Sequence, residues 1–311
     1  MTRISKYRIA AALLVGTLVP ATALADSAFI LPSITNLAGQ NNVVTFDAAA
    51  SDHLFYMDHR ALQLASIKIT RPDGTVGTTE NGIQGRLRSV FDVRVDAQGT
   101  WKIASEQSMI NGSFMLDGEE RRVGGRGGPP RPPGAEGSPA GSVAPAAPPP
   151  PGPGGPAGGE GPRRAPPVAF QDIPATATDI HLVENINRVE TFVTVGAPTT
   201  TVFTPTGRGL EFQPITHPNA IAAGEVARFR FLIDGRPAAG IKVTVIQDGD
   251  RYREQTDATE LTTGADGTFG ITWPNAGRYW VSAQAEDTSP SERRAEKRRM
   301  SYSATLEVAT P

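Results

Sequence analysis

The densest group of possible metal ligands is Asp52-His53-Leu54-Phe55-Tyr56-Met57-Asp58-His59, which holds two of the chain's four histidines. Imidazole together with carboxylate suits a borderline divalent ion such as nickel, cobalt, copper or zinc. Spacing limits how these groups can cooperate. On an extended strand His53 and His59 share one face and Asp52 and Asp58 the other, because side chains alternate. Six residues of straight strand would part the imidazoles by about 20 Å, whereas each bond to an ion is about 2.1 Å. A shared site therefore requires a bend or loop here, or His217 folding in from the C-terminal half. A purely structural reading fits the same residues: Leu54, Phe55, Tyr56 and Met57 pack into a core or interface, with the Asp and His residues as solvated flanks. The sequence leaves both open.

The other two histidines read as structural. His181 precedes Leu182-Val183-Glu184 in an alternating, strand-like run, and His217-Pro218-Asn219 has the composition of a turn. Ser291–Arg299 (SERRAEKRR) carries five basic and two acidic residues. It reads as a solvated hairpin loop, or as a contact for a lipid phosphate, a wall polymer or an acidic receptor face.

Catalytic signatures are missing. The chain has no GxSxG, HExxH or Walker motif, and no GxGxxG after a strand. The absence of cysteine excludes disulfides, thiolate-bound zinc, iron–sulfur clusters and thiol catalysis. With 30 Lys+Arg against 32 Asp+Glu the net charge is −2, which argues against a basic nucleic-acid binder. The expectation is a protein that is not an enzyme.

The elements that must position these residues are strands. Phe91, Val93 and Val95 alternate with Asp92 and Arg94, and Ala227, Phe229, Phe231 and Ile233 alternate with Arg228 and Arg230. The same rhythm runs through Ile241–Val245, Phe269–Trp273 and Tyr302–Val308. Period-two alternation marks half-buried antiparallel strands, and the Asp-Gly pairs at 73–74, 234–235 and 266–267 supply the turns. No window of the mature chain carries a helical apolar stripe. The expected fold is all-β, with two Ig-like or transthyretin-like antiparallel β-sandwich domains.

Two segments fall outside that pattern. Arg3, Lys6 and Arg8 precede the apolar run Ile9–Val19, and Ala23-Leu24-Ala25 offers a cleavage site before Asp26. This is the layout of a secretory signal over residues 1–25, and the apolar run, about 16 Å long as a helix, is half a bilayer. A periplasmic location follows for a Gram-negative source, with no membrane-spanning segment in the mature chain. Residues 124–168 hold 15 of the 27 prolines and 13 of the 33 glycines, with almost nothing apolar larger than Val. Such a segment is expected to stay disordered. We read it as an insertion into an N-terminal sandwich, 26–198, followed by a C-terminal sandwich, 199–311.

Several segments together resemble a known family. They are Ile30-Leu31-Pro32-Ser33, Asp47–Tyr56, Arg88-Ser89-Val90-Phe91-Asp92-Val93, Arg188-Val189-Glu190-Thr191-Phe192-Val193, Gly209-Leu210-Glu211-Phe212, Thr216-His217-Pro218-Asn219 and Phe231–Gly240. The resemblance is to a proteobacterial exported family of unknown function also known as the NikM-like nickel-uptake substrate-specific region. The C-terminal half is similar to the transthyretin-like or carboxypeptidase-regulatory sandwich, through Asp234–Gly240 and the Ala265–Phe269 turn. The resemblance implies a periplasmic accessory protein that works beside an outer-membrane receptor or transporter in the uptake of a metal or metal chelate. On this reading Asp52, His53, Asp58, His59 and His217 are the candidate metal ligands. The alternative is an Ig-like adhesive module that binds envelope polymer or a protein partner.

Overall fold

The computed structural model describes residues 27–39, 42–124 and 166–311. The leader and most of the Pro/Gly-rich insertion lie outside those residues. Among the described residues the chain is all-β, with only short 3-10 turns between strands.

The alternating segments form strands with the expected inward faces. In Ser89–Val95 the residues Phe91, Val93 and Val95 are buried, and in Val226–Ile233 so are Ala227, Phe229 and Phe231. The hairpin after Ile233 is made by Asp234 and Gly235, both at positive φ (51° and 75°), as a two-residue turn between right-twisted strands requires. Gly267 has no side-chain alternative, since an added Cβ would lie 2.5 Å from the Phe231 carbonyl.

Three sheets stack. The first runs Ser27–Pro32, Asn42–Ser51, Ser89–Val95, Glu80–Gln84, with Arg60–Ala61 also paired to Asn42–Ser51. The central sheet has ten strands, among them Lys242–Gln247, Gly277–Asp287, Lys297–Val308, Thr178–Val195 and Gly99–Leu116 in that order. The third sheet has four, built on Leu210–Pro214, Val226–Ile233 and Thr268–Thr272.

Thr178–Val195 is the strand that both halves share. It pairs antiparallel with Gly99–Leu116 and parallel with Lys297–Val308, Val183 lying opposite Lys297 and Thr191 opposite Thr305. The sequence led us to expect antiparallel pairing throughout, and this pair departs from it. A parallel pair needs a long crossover, and here residues 196–296 supply it before the last strand returns. The two faces of the shared strand serve two cores. Val189, Val193 and Val195 pack with Phe46, Phe91 and Trp101 under the first sheet. Ile186 and Phe192 pack with Phe212, Phe229 and Tyr302 under the third. Burying one such aromatic is worth about 1.5–3 kcal/mol, so each face is strongly held. A smaller cluster of Phe29, Leu54, Phe55, Ile246 and Trp280 joins the first sheet to the strands of the C-terminal half.

Candidate functional site

The candidate metal ligands separate into two places. Asn42–Ser51 ends at Ser51, and residues 52–59 form a loop, so His53 and His59 do not share a strand face. The loop is tied locally: the Ser51 hydroxyl and the Tyr56 N–H donate to the His53 carbonyl (2.5 and 3.2 Å), and the Asp52 N–H donates to Asp58 Oδ1 (3.2 Å). Phe55 adopts φ +61°, a strained conformation for a bulky residue. Leu54 and Phe55 are buried, and the Phe55 ring meets Phe29 edge-on at 5.3 Å. The packing role expected for these two residues is therefore realised.

The loop docks on the 3-10 turn Asp250–Tyr252, which follows Lys242–Gln247 and is entered through Gly249 at φ +84°. Arg253 braces this turn by donating to the Asp248 and Gln247 carbonyls (2.9 and 2.7 Å). Asp250 is 8 % exposed. Its Oδ2 lies 3.4 Å from the Leu54 N–H and 3.5 Å from His53 Nδ1, and its Oδ1 is buried with no hydrogen-bond partner among the described residues. Outside this pair the Tyr56 hydroxyl donates to Tyr252 at 2.6 Å, which holds the Tyr56 phenol above its usual range. The Arg251 guanidinium sits 4.9 Å above the Tyr56 ring, and Tyr252 is 80 % exposed. We call this junction the seam. Asp52, Asp58 and His59 are exposed on the same loop.

His217 is elsewhere. Its Nδ1 accepts the Asn219 N–H at 3.0 Å and so caps the turn Pro218–Ala220. Its Nε2 lies 3.0 Å from the Thr100 hydroxyl and 3.2 Å from the Thr199 carbonyl. An acceptor Nδ1 and a carbonyl facing Nε2 select the neutral Nε2–H tautomer, and burial pushes the pKa down. Both ring nitrogens are engaged in fixing the fold. Among the described residues no group of three or more His, Cys, Asp or Glu side chains is arranged to hold a metal ion.

A second cluster of charges is fully internal. Arg188, Glu190 and Glu211, each 5 % exposed, lie between the central and third sheets. Arg188 is 3.1 Å from Glu211 and 3.5 Å from Glu106, and it also donates to the Leu210 and Arg208 carbonyls. Glu211 in turn accepts from the Thr206 and Gly207 N–H groups at 2.7 and 2.9 Å. The Tyr302 hydroxyl donates to Glu190 at 2.9 Å, with Lys102 at 3.9 Å from the same carboxylate. Register explains the convergence, because Glu106, Arg188 and Tyr302 are cross-strand neighbours on three adjacent strands. Burial pulls the Arg188 pKa down, but Glu190, Glu106 and Glu211 outweigh it and the guanidinium is held more firmly charged. The cleft between Lys102, Glu190 and Phe203 has room for about one water molecule. Its chemistry is that of a matched ion network inside a sandwich.

The charged run near the C-terminus is also largely matched. Lys297–Arg299 belongs to the last strand rather than to a loop. Buried Arg298 is paired with Asp234 and Asp287 (2.8 and 2.6 Å), while Lys297 and Arg299 flank Glu286 (2.9 and 2.8 Å). Glu296 pairs with His181 at 2.7 Å on the surface.

Sequence reasoning did not single out Asp250, Arg251 or Tyr252, although Asp248-Gly249-Asp250 after an alternating strand is a compact acidic turn. It also passed over Arg188, Glu190 and Glu211 as chemistry, though all three lie in the segments that carry the family resemblance. The signal for Arg188 and Glu190 is a charged pair on a strand whose two faces are both apolar.

No curated protein matches the chain. Among solved structures, a DUF4785 family protein from Legionella pneumophila is 7% identical, with 82% of this chain and 50% of that one covered at a TM-score of 0.21. The full ectodomain of mouse nectin-like molecule 4 is 9% identical, with 92% of this chain and 65% of that one covered at a TM-score of 0.18. The chain thus spans between half and two thirds of these structures, and at such scores neither carries an argument about it. No helix among the described residues is long and apolar enough to cross a membrane. Residues 23–287 match the family described as a domain of unknown function, DUF4198, and the chain belongs to that family.

Proposed function

We propose that this chain is an exported, periplasmic and non-enzymatic accessory protein that holds a cargo or partner at the seam, beside an outer-membrane receptor or transporter. The cargo on this reading is a transition metal ion, of the nickel or cobalt type, or its chelate. One observation carries the proposal. The seam gathers exposed Tyr252, the Tyr56 ring and Arg251 around a half-exposed imidazole and an incompletely bonded buried carboxylate. Tyr and Arg supply much of the energy at binding surfaces, and the charges of the buried cluster are spent on each other.

Calorimetry of the purified protein with nickel, cobalt, copper and zinc tests the cargo. Binding tighter than about 100 µM, about 5.5 kcal/mol, is expected for at least one ion or its chelate. No binding at that level removes the metal and leaves only a protein partner. Fractionation with N-terminal sequencing tests the location: Asp26 as first residue in the periplasmic fraction is expected, and retention in the cytoplasm overturns it. The adhesive alternative draws on the same tyrosine pair, of which Tyr252 is exposed. It predicts binding to envelope polymer that is indifferent to chelators and lost in Tyr252→Ala.

A further inference from the structure

Asp250 is bonded below what its burial demands. A carboxylate this far from water normally collects several short bonds from donors. Here one oxygen has no hydrogen-bond partner, and the other has contacts of 3.4 and 3.5 Å. The second of those contacts comes close to the dimensions of a ligand pair. Two atoms bound to one ion at about 2.1 Å each, and subtending about 90–110°, stand about 3.0–3.4 Å apart. His53 Nδ1 and Asp250 Oδ2 at 3.5 Å need to close by only about a tenth of an ångström or a little more to reach that range. The strained Phe55 contributes to this placement. It sits in the left-handed region, where strain often accompanies ligand clamps, and anchors the loop in the core while His53 stays 49 % exposed.

We infer that His53 and Asp250 form a two-ligand seat for a borderline divalent transition metal ion that arrives already bound to a small open chelator. This rests on the seam being the holding site, as proposed above. Two protein ligands leave at least two positions of the ion to be filled. Among the described residues no third His, Cys, Asp or Glu closes the site, which leaves the remaining positions open to donors of the cargo in place of water. Exposed Tyr252 beside Tyr56 offers ring faces against which a flat chelator packs. Asp52, Asp58 and Asp248 together with Asp250 outnumber Arg251 and Arg253 on the two loops, which favours a complex that keeps positive charge.

The probes are nickel(II) alone, nickel(II) with one histidine per ion, and nickel(II)–EDTA, which has no position to offer. Native mass spectrometry is expected to show the protein carrying nickel and one retained histidine, and calorimetry to show no binding of the EDTA complex. His53→Ala and Asp250→Asn are each expected to weaken binding at least tenfold. His53 is half exposed, so the unfolding temperature of His53→Ala is expected to match that of the parent chain, which separates lost ligation from lost fold. Undiminished binding in His53→Ala puts the ion elsewhere and overturns the seat while the accessory function stands. Nickel held without the histidine overturns the chelate. Binding by neither open probe, with nickel, cobalt, copper or zinc as the ion, overturns the seat and the metal cargo together.

Discussion

The seam and the buried cluster both hold carboxylates within reach of cationic or ionisable groups, yet they are built on opposite terms. In the cluster each charge has partners at hydrogen-bonding or ion-pair distance: Arg188 with Glu211 and Glu106, Glu190 with Tyr302 and Lys102. At the seam Asp250 is almost as inaccessible but lacks a partner for Oδ1, and half-buried Tyr56 bonded to exposed Tyr252 stands beside it. Burial of a charge therefore does not by itself mark function. What separates the two regions is whether the bonding capacity of the buried group is filled from within the chain. A filled network stitches sheets in register, whereas an unfilled one has something left to offer a ligand.

The largest effect that can break this comparison is Arg188→Leu. Removing the one guanidinium leaves buried Glu211 without its ion pair and close to Glu190, while Glu106 keeps only Lys68, and a loss of about 3–5 kcal/mol is expected in urea unfolding. A loss below about 1 kcal/mol would mean that the cluster is wetter and less structural than its packing implies. Tyr302→Phe removes only the hydroxyl that Glu190 accepts. It should cost about 1–3 kcal/mol by the same measurement, with no effect on metal or chelate binding. Any change in ligand binding there would blur the distinction between the two regions.

His217 sharpens the comparison through pH. Its pKa in the fold is below the value of about 6.5 in the unfolded chain, so below that pH the unfolded state binds more protons. Stability is therefore expected to fall as the pH drops from 7 to 5, and His217→Gln should flatten part of that slope in thermal melts. An unchanged slope would show that the ring is not kept neutral by the fold. The smallest stability effect belongs to the seam: Tyr252→Ala should shift unfolding by no more than about 0.5 kcal/mol while weakening partner or cargo binding. A large stability loss there would make the tyrosine pair a structural clasp.

Particular residues show how far the sequence could be read. Phe91, Val93 and Val95, or Phe229 and Phe231, announce their buried faces because a strand alternates with a period of two whatever its partners are. Arg188 and Glu190 were harder to interpret. Ile186, Val189, Phe192 and Val193 on both parities mean that both faces of the strand are covered, so the charges between them are buried with the apolar residues. His217 was legible as a turn residue, and its Nδ1 serves that turn, whereas the Thr100 and Thr199 partners of its Nε2 come from other segments that no local pattern announces. His53 was legible as a candidate, but its neighbour was not, since Asp250 lies almost two hundred positions further along.

The sequence by itself determined the all-β class, the strand faces, the Asp-Gly turns and the thinness of any catalytic inventory, because each depends on residue type and local spacing. Only the tertiary structure decided that Lys297–Val308 returns parallel to Thr178–Val195, and that the two cores meet on one strand. Only the tertiary structure set Asp250 under His53, because sheet register and loop docking are settled by which distant surfaces exclude water together. No local pattern along a chain records that choice.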